Sequence, residues 1–202
     1  MSITPPTTKE LMELFKVDNI HAAPAITKVV LNVGVGKNRE NSAYLEAVRR
    51  DLAAISGQAP HERLSRKAVA GFNVRIGNLV GYTVTLRGQR MRDFVQRFVH
   101  ITMPRVRDFR GLKIQSIDGA GNLNVGVVEH LAFPEIHPDK TDVIFGVQVT
   151  FVTSAKNKED GEKLFRRFGF PLRSADDVDE ELELETAATR AAKARGKEKG
   201  AV

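Results

Sequence analysis

Basic side chains are concentrated in one segment of the chain, residues 61–113, and their types and spacing suggest a chemistry. The segment contains twelve bases and three acids, and ten of the twelve bases are arginines. The bases are Arg63, Arg66, Lys67, Arg75, Arg87, Arg90, Arg92, Arg97, Arg105, Arg107, Arg110 and Lys113. A guanidinium group is planar, donates paired hydrogen bonds to phosphate oxygens and stacks on nucleobases. The segment therefore favours a polyanionic partner, and RNA above others.

The excess of positive charge is confined to this segment. Up to Ala175 the chain has 26 Lys and Arg residues against 17 Asp and Glu residues, and this excess of nine equals the excess within 61–113. The rest of 1–175 is neutral overall, whereas a generally solubilised surface would spread its charge. By charge alone, the alternative to RNA binding is a basic interaction module that binds an acidic protein partner.

Nothing in the sequence predicts catalysis, a metal site or a cofactor. Residues 34–37, Gly-Val-Gly-Lys, resemble the start of a phosphate loop, but Arg39 occupies the third glycine position of a dinucleotide fingerprint and no Ser or Thr follows Lys37. The sequence has no cysteine, and no serine lies in a nucleophile elbow. Scattered histidines favour surface or core positions over metal ligation; they are His21, His61, His100, His130 and His137. The four acids in 129–142 are better explained as solvated or capping groups than as an acid–base pair.

Hydrophobic periodicity predicts the helices and strands that must position the basic residues. Helical spacing predicts helices over 8–16, 44–57 and 158–168, and another that follows Gly88 and ends at Pro104. Alternation predicts strands over 26–35, 82–86, 123–127 and 145–153. Between 58 and 81 the pattern predicts short strands around a long basic loop, bracketed by Gly71, Gly77 and Gly81.

The order of these elements predicts a single α+β domain with a largely antiparallel or mixed sheet and helices on one face. No regular strand–helix alternation is present, which argues against a parallel sheet. The other sheet face would then present polar strand residues to a partner. These residues are Asn32, Thr83, Thr85, Gln148 and Thr150.

The domain is expected to span residues 1–173, followed by a charged C-terminal extension, 174–202, that is expected to be mobile. In the extension, seven acids and no bases occupy 176–185, and five bases follow. No apolar stretch of about eighteen residues is present, and the first ten residues lack the order of a signal peptide. We therefore expect a cytoplasmic protein without a membrane partner.

Six sequence blocks, in order along the chain, resemble the bacterial ribosomal protein L5 family. They are ITKVVLNVGVG at 26–36, LAAISGQ at 52–58, RKAVAGF at 66–72, VTLRG at 84–88, PRVRDFRG at 104–111 and FPEI at 133–136. The resemblance extends from about Lys9 to Leu172. It implies a structural protein of the large ribosomal subunit that binds 5S rRNA in the central protuberance, contacts P-site tRNA and contributes to an intersubunit bridge.

The resemblance also implies which residues bind RNA. Positions that match the family's polar rRNA-binding sheet face are Asn32, Gln58 and Thr85, and nearby bases that would neutralise rRNA phosphates are Arg63, Arg66, Lys67 and Arg87. Residues 71–81 resemble the family loop that reaches tRNA, which implies tRNA contacts at Asn73, Arg75, Gly77 and Asn78. Asn73 stands where many relatives have a lysine. The implied partners are 5S rRNA, 23S rRNA, P-site tRNA, neighbouring large-subunit proteins and a small-subunit bridge protein. The resemblance implies no cofactor, no catalytic residue, no metal and no homo-oligomer.

Overall fold

The computed structural model describes residues 6, 8–36, 38–138, 141 and 143–173. Within them, five strands form one sheet in the order β2-β3-β1-β5-β4, and every pairing is antiparallel. The strands are β1 Ile26–Gly34, β2 His61–Leu64, β3 Leu79–Leu86, β4 Leu123–Val127 and β5 Val147–Thr153. This confirms the predicted α+β class with an antiparallel sheet. The C-terminal extension, 174–202, lies outside the described residues.

Among the described residues, five α-helices accompany the sheet. They are α1 Thr8–Phe15, α2 Ser42–Ser56, α3 Gly88–Arg97, α4 Met103–Arg105 and α5 Lys158–Arg167. Single 3-10 turns lie at Ile20–Ala22, Ala70–Phe72, Ile114–Ser116 and His130–Ala132. No helix in the described ranges is both long enough and apolar enough to cross a bilayer.

Helix α2 shows how local sequence sets the ends of an element. The side chain of Asn41 accepts a hydrogen bond from the backbone N–H of Tyr44 at 3.1 Å, which caps the first turn. At the other end Gly57 has φ of 64°, a left-handed conformation that glycine adopts without a steric penalty. The predicted C-terminal end is therefore confirmed, and the helix begins two residues earlier than predicted.

The helix predicted between Gly88 and Pro104 consists of α3, a π-helical turn and α4 in succession. The turn spans Phe98–Thr102 and leads directly into α4, so Pro104 lies inside the last turn instead of ending the helix. A proline lacks an N–H and its ring collides with the carbonyl four residues earlier in an α-helix. Just before Pro104 the backbone N–H of Met103 bonds to the carbonyl oxygen of Phe98, five residues earlier, and the helical path ends one residue later than predicted, at Arg105.

The hydrophobic core lies on one face of the sheet, between the strands and the helices. Strand residues Val29, Leu31 and Val33 of β1 are all at most 1% exposed. The ring of Phe98, from the π-turn, lies 5.2 Å from the ring of Phe151 on β5. Full burial of such a side chain contributes about 1.5–3 kcal/mol. Since the helices cover this face, the opposite face of the sheet remains open, as the sequence predicted.

Candidate nucleic-acid interface

Polar side chains form two rows across the open face of the sheet. The strand register places Asn32 of β1 opposite Thr83 of β3 and Gln148 of β5. The second row lies two residues further along the strands, where Thr85 and Thr150 flank Val30 of β1. Directly opposed residues in antiparallel strands point to the same face. The register therefore brings together all five polar strand residues that the sequence assigned to this face.

Cross-strand hydrogen bonds fix two asparagine side chains on the open face, Asn32 within the rows and Asn124 beside them on edge strand β4. The hydroxyl of Thr83 donates to Oδ1 of Asn32 at 3.1 Å, and the hydroxyl of Thr150 donates to Oδ1 of Asn124 at 2.7 Å. Asn32 is exposed. Its amide oxygen is engaged within the sheet, and its amide nitrogen carries two further N–H donors. Such donors suit the oxygen-rich surface of RNA.

Glycines leave one end of the open face without side chains. Gly34 of β1 lies directly opposite Gly81 of β3, and Arg63 of β2 lies opposite Gly81 on the other side. A Cβ atom on Gly81 would lie 2.7 Å from the carbonyl oxygen of Val33, so only glycine permits this strand approach. The exposed guanidinium of Arg63 thus borders a smooth floor that a nucleic-acid backbone could approach closely. His61, opposite Thr83, shares this face, and only the strand register could have identified it.

Gln58 joins the end of α2 to the edge of the polar face. Strand β2 begins at His61, which pairs with Thr83, so it does not extend as far as Thr85. The side-chain amide of Gln58 lies in that position and donates to the carbonyl oxygen of Thr85 at 3.5 Å. Arg87 follows β3 and is exposed. The structure therefore groups three of the predicted rRNA-binding residues at one corner of the sheet.

Arg66 and Lys67 lie at the root of the long loop and not on the sheet itself. Both side chains are exposed. The backbone of Ser65 pairs with the opposite arm of the loop, donating to Asn78 at 2.8 Å and accepting from Gly77 at 2.9 Å. The Ser65 hydroxyl also donates to the carbonyl oxygen of Lys67 at 2.6 Å. These hydrogen bonds hold the two bases at a fixed position beside the open face.

The tip of the loop is a small hairpin that Arg39 ties to the body of the domain. Val69 and Val74 exchange two backbone hydrogen bonds, of 2.8 and 3.2 Å. Asn73 has φ of 52°, a left-handed conformation that asparagine tolerates better than most residues. The guanidinium of Arg39 donates to the carbonyl oxygen of Asn73 at 2.7 Å. Sequence reasoning missed this role of Arg39, because the two residues are 34 positions apart.

All four predicted tRNA-binding residues line one open concavity of about 960 Å3 under the loop. Arg75 is exposed, and Gly77 has φ of 88°, so the backbone turns there without a side chain. Phe72 and Ile76 are 78% and 72% exposed at the same tip. These two apolar residues were not predicted from the sequence, although large apolar side chains between Gly71 and Gly77 were the available signal. The loop presents an arginine and two apolar side chains to a partner.

Among the described residues, one histidine and one carboxylate, His130 and Asp51, lie together in the core. No group of three or more His, Cys, Asp or Glu residues in the described ranges is arranged to hold a metal ion. His130 is buried, stacks on Phe145 with ring centroids 3.9 Å apart, and lies 3.4 Å from Asp51. Burial lowers the pKa of His130 below its ordinary value, although Asp51 acts in the opposite direction. This residue is a structural core histidine, one of the two positions that the sequence favoured.

Family models match most of the described chain. Residues 19–75 match the model described as ribosomal protein L5, and residues 79–172 match the ribosomal L5P family C-terminus. The two models meet inside the long loop, so both contribute to the candidate interface.

Curated relatives match over nearly their whole length. The large ribosomal subunit protein uL5 of Halothermothrix orenii is 44% identical over 163 residues, which cover 81% of this chain and 91% of the relative. Those of Syntrophomonas wolfei and Prochlorococcus marinus are 45% and 46% identical over 164 and 165 residues, which cover 92% of each relative. The matches cover 81% and 82% of this chain.

Proposed function

The chain belongs to the ribosomal protein L5 family, and we propose that it anchors 5S rRNA in the central protuberance through the open face of its sheet. Membership makes it a structural protein of the large ribosomal subunit and not an enzyme. What remains to be assigned is the RNA that it holds and the surface that holds it.

The pair of Thr83 and Asn32 is the observation that supports this proposal most. Its hydrogen bond engages the amide oxygen of exposed Asn32 within the sheet, so the side-chain N–H groups of Asn32 are the donors proposed to bind RNA. Folded RNA offers ribose hydroxyls, phosphate oxygens and base edges across a wide, shallow minor groove. A flat polar sheet face with fixed donors is more complementary to this RNA surface than to the convex surface of a protein ligand.

Arginines around the face would supply the electrostatic part of the binding. Arg63 borders the glycine floor, Arg66 and Lys67 lie at the loop root, and Arg87 lies at the corner with Thr85. Contacts of this kind neutralise phosphates and position the protein, while the polar rows discriminate between RNA shapes.

The long loop is proposed to contact P-site tRNA through its tip. Arg75 would bind a phosphate, while Gly77 permits close approach to the tRNA backbone. The backbone carbonyl of Asn73 is engaged by Arg39, so Asn73 contributes chiefly by shaping the tip. Contacts with 23S rRNA, neighbouring proteins and a small-subunit bridge protein belong to the same proposal, without residues assigned to them.

Binding of the full chain to 5S rRNA, compared with an unrelated RNA of equal length, tests this proposal. We expect a preference for 5S rRNA that persists when the salt concentration is raised, because hydrogen bonds on the polar rows are less screened than phosphate contacts. Equal and salt-sensitive binding to both RNAs would reject it and favour the alternative, a basic module for an acidic protein.

A further inference from the structure

A rigid basic segment, residues 105–113, borders the C-terminal end of the described chain. Four of its side chains are exposed bases; these are Arg105, Arg107, Arg110 and Lys113. Between them Val106, Phe109 and Leu112 pack against the hydrophobic core. Since the apolar residues anchor the backbone, the bases are held in place and are not carried on a freely moving loop.

A groove of about 290 Å3 adjoins this segment. One wall is Arg105, Val106 and Arg107; the other is Val128, Glu129, Leu131 and Ala132. Val128 is 81% exposed, so the groove offers an uncovered apolar surface beside two arginines. In the ranges that the structure describes, no acid forms an ion pair with Arg105 or Arg107, although Glu129 contributes one opposing charge. We call this surface the 105–132 groove.

The described chain ends beside the same segment. The backbone N–H of Arg173 donates to the carbonyl oxygen of Leu112 at 2.9 Å, and the Arg173 guanidinium bonds to the carbonyl oxygen of Arg110. Asp176 is three residues further on, and an extended chain covers about 3.3–3.6 Å per residue. Chain length therefore allows the first of the acids of 176–185 to reach about 10 Å from Arg173 and the last about 40 Å.

The composition of 176–185 is complementary to the groove. Its sequence, DDVDEELELE, places seven carboxylates around Val178, Leu182 and Leu184, with no base. The groove combines arginines with exposed Val128 and half-buried Leu131. The family match ends at Leu172, so the acidic segment is a feature of this chain beyond the matched region.

We propose that the acidic segment 176–185 docks in the 105–132 groove of its own chain. Its carboxylates pair with Arg105 and Arg107, and its leucines cover Val128 and Leu131. Exposed ion pairs are individually weak and screened by salt, so the docked segment is displaceable. In the free protein it shields this surface from unrelated polyanions, an effect that rests on the proposed RNA-binding function.

The docking itself can be measured in the full chain without RNA. Because the sequence has no cysteine, Ala187→Cys gives a single site for a nitroxide spin label next to the acidic segment. We expect line broadening of amide NMR signals at 105–113 and 128–132, and its loss in about 1 M salt, where the Debye length is about 3 Å.

Two charge variants make this measurement specific. Neutralisation of the acids (D176N, D177N, D179N, E180Q, E181Q, E183Q, E185Q) should abolish the broadening. A matched control neutralises the five bases that follow (R190Q, K193Q, R195Q, K197Q, K199Q) and should retain it. Broadening confined to the open sheet face, broadening nowhere, or broadening that survives loss of the acids would overturn the docking proposal.

A second measurement tests the shielding. Neutralising the acids should tighten binding of an unrelated RNA about tenfold at low salt, but only about threefold or less in an Arg105→Gln, Arg107→Gln background, because coupled sites are not additive. An equal gain in RNA affinity in both backgrounds would show a general charge effect and overturn the proposal that the acidic segment shields the groove. The spin-label measurement is made without RNA. A negative outcome there is therefore distinguishable from failure of the proposed RNA-binding function.

Discussion

Asn32→Asp tests the polar rows with the smallest possible change in shape. The substitution replaces the two side-chain N–H donors of Asn32 with a carboxylate oxygen, and it keeps an acceptor for the hydroxyl of Thr83. The fold should therefore be retained, with a change in the free energy of unfolding within about 0.5 kcal/mol. Any larger effect on RNA binding then reports the interface and not the stability of the domain.

The expected loss follows from the hydrogen bonds that Asn32 could donate. A hydrogen bond to a neutral ribose or base group contributes about 0.5–1.5 kcal/mol, and one to a charged phosphate about 1.5–3 kcal/mol. Loss of such a bond should weaken 5S rRNA binding by about 1–3 kcal/mol, which is about 5- to 150-fold in Kd. The assay is equilibrium binding of the full chain to labelled 5S rRNA at fixed salt.

Asn124→Asp is the matched control. Asn124 has the same type of bond, accepting from the hydroxyl of Thr150, and lies on edge strand β4, at the opposite side of the sheet from β2 and Arg63. It adds the same charge to the same face. We expect a loss of less than about threefold, since a single charge at the solvated edge of the sheet, away from the bound RNA, is largely screened. Equal losses of 5S rRNA affinity for the two variants, or no loss for Asn32→Asp, would refute the assignment of Asn32 to the RNA interface.

Three further predictions concern the strand approach, the buried histidine and the loop root. Gly81→Ala should destabilise the domain by about 1–3 kcal/mol in denaturant unfolding, because its Cβ would lie 2.7 Å from a carbonyl oxygen of β1, whereas Gly126→Ala, with open space around it, should not. The pKa of His130 is lowered chiefly by burial, so the unfolded state binds more protons and the free energy of unfolding should fall as the pH drops below about 6.5. His130→Gln should reduce this pH dependence and exposed His137→Gln should not. Equal pH profiles for the two variants would contradict the conclusion that His130 causes the dependence. Arg66→Gln should reduce the slope of log affinity against log salt by about 0.7–0.9, and an unchanged slope would make Arg66 structural.

The sequence contained most of the information needed for the sheet face. The alternation of apolar and polar residues along β1 placed the Asn32 side chain on the face opposite to its buried neighbours. The same pattern along β3 placed Thr85 on that open face. Both assignments needed only the two-residue period of a strand. The capping residues of α2 were likewise local signals, since Asn41 and Gly57 act within one turn.

Other parts of the candidate interface depend on contacts between distant residues. The positions of His61 and Arg63 on the open face follow from the register of β2 with β3, which contains a bulge at Arg63 and Leu64. The contact of Arg39 with the loop tip joins two loops. Neither can be derived from periodicity in one segment, because each is set by how separate elements meet.

Alkylation of single cysteines tests most directly whether the open sheet face is the RNA-binding face. The chain has no cysteine, so Val30→Cys, in the polar row between Thr85 and Thr150, and Gln96→Cys, on the exposed side of α3, can be compared in the full protein. We predict that 5S rRNA slows alkylation at position 30 and leaves position 96 unchanged. Protection at position 96 without protection at position 30 would contradict the account and place the RNA on the helical side.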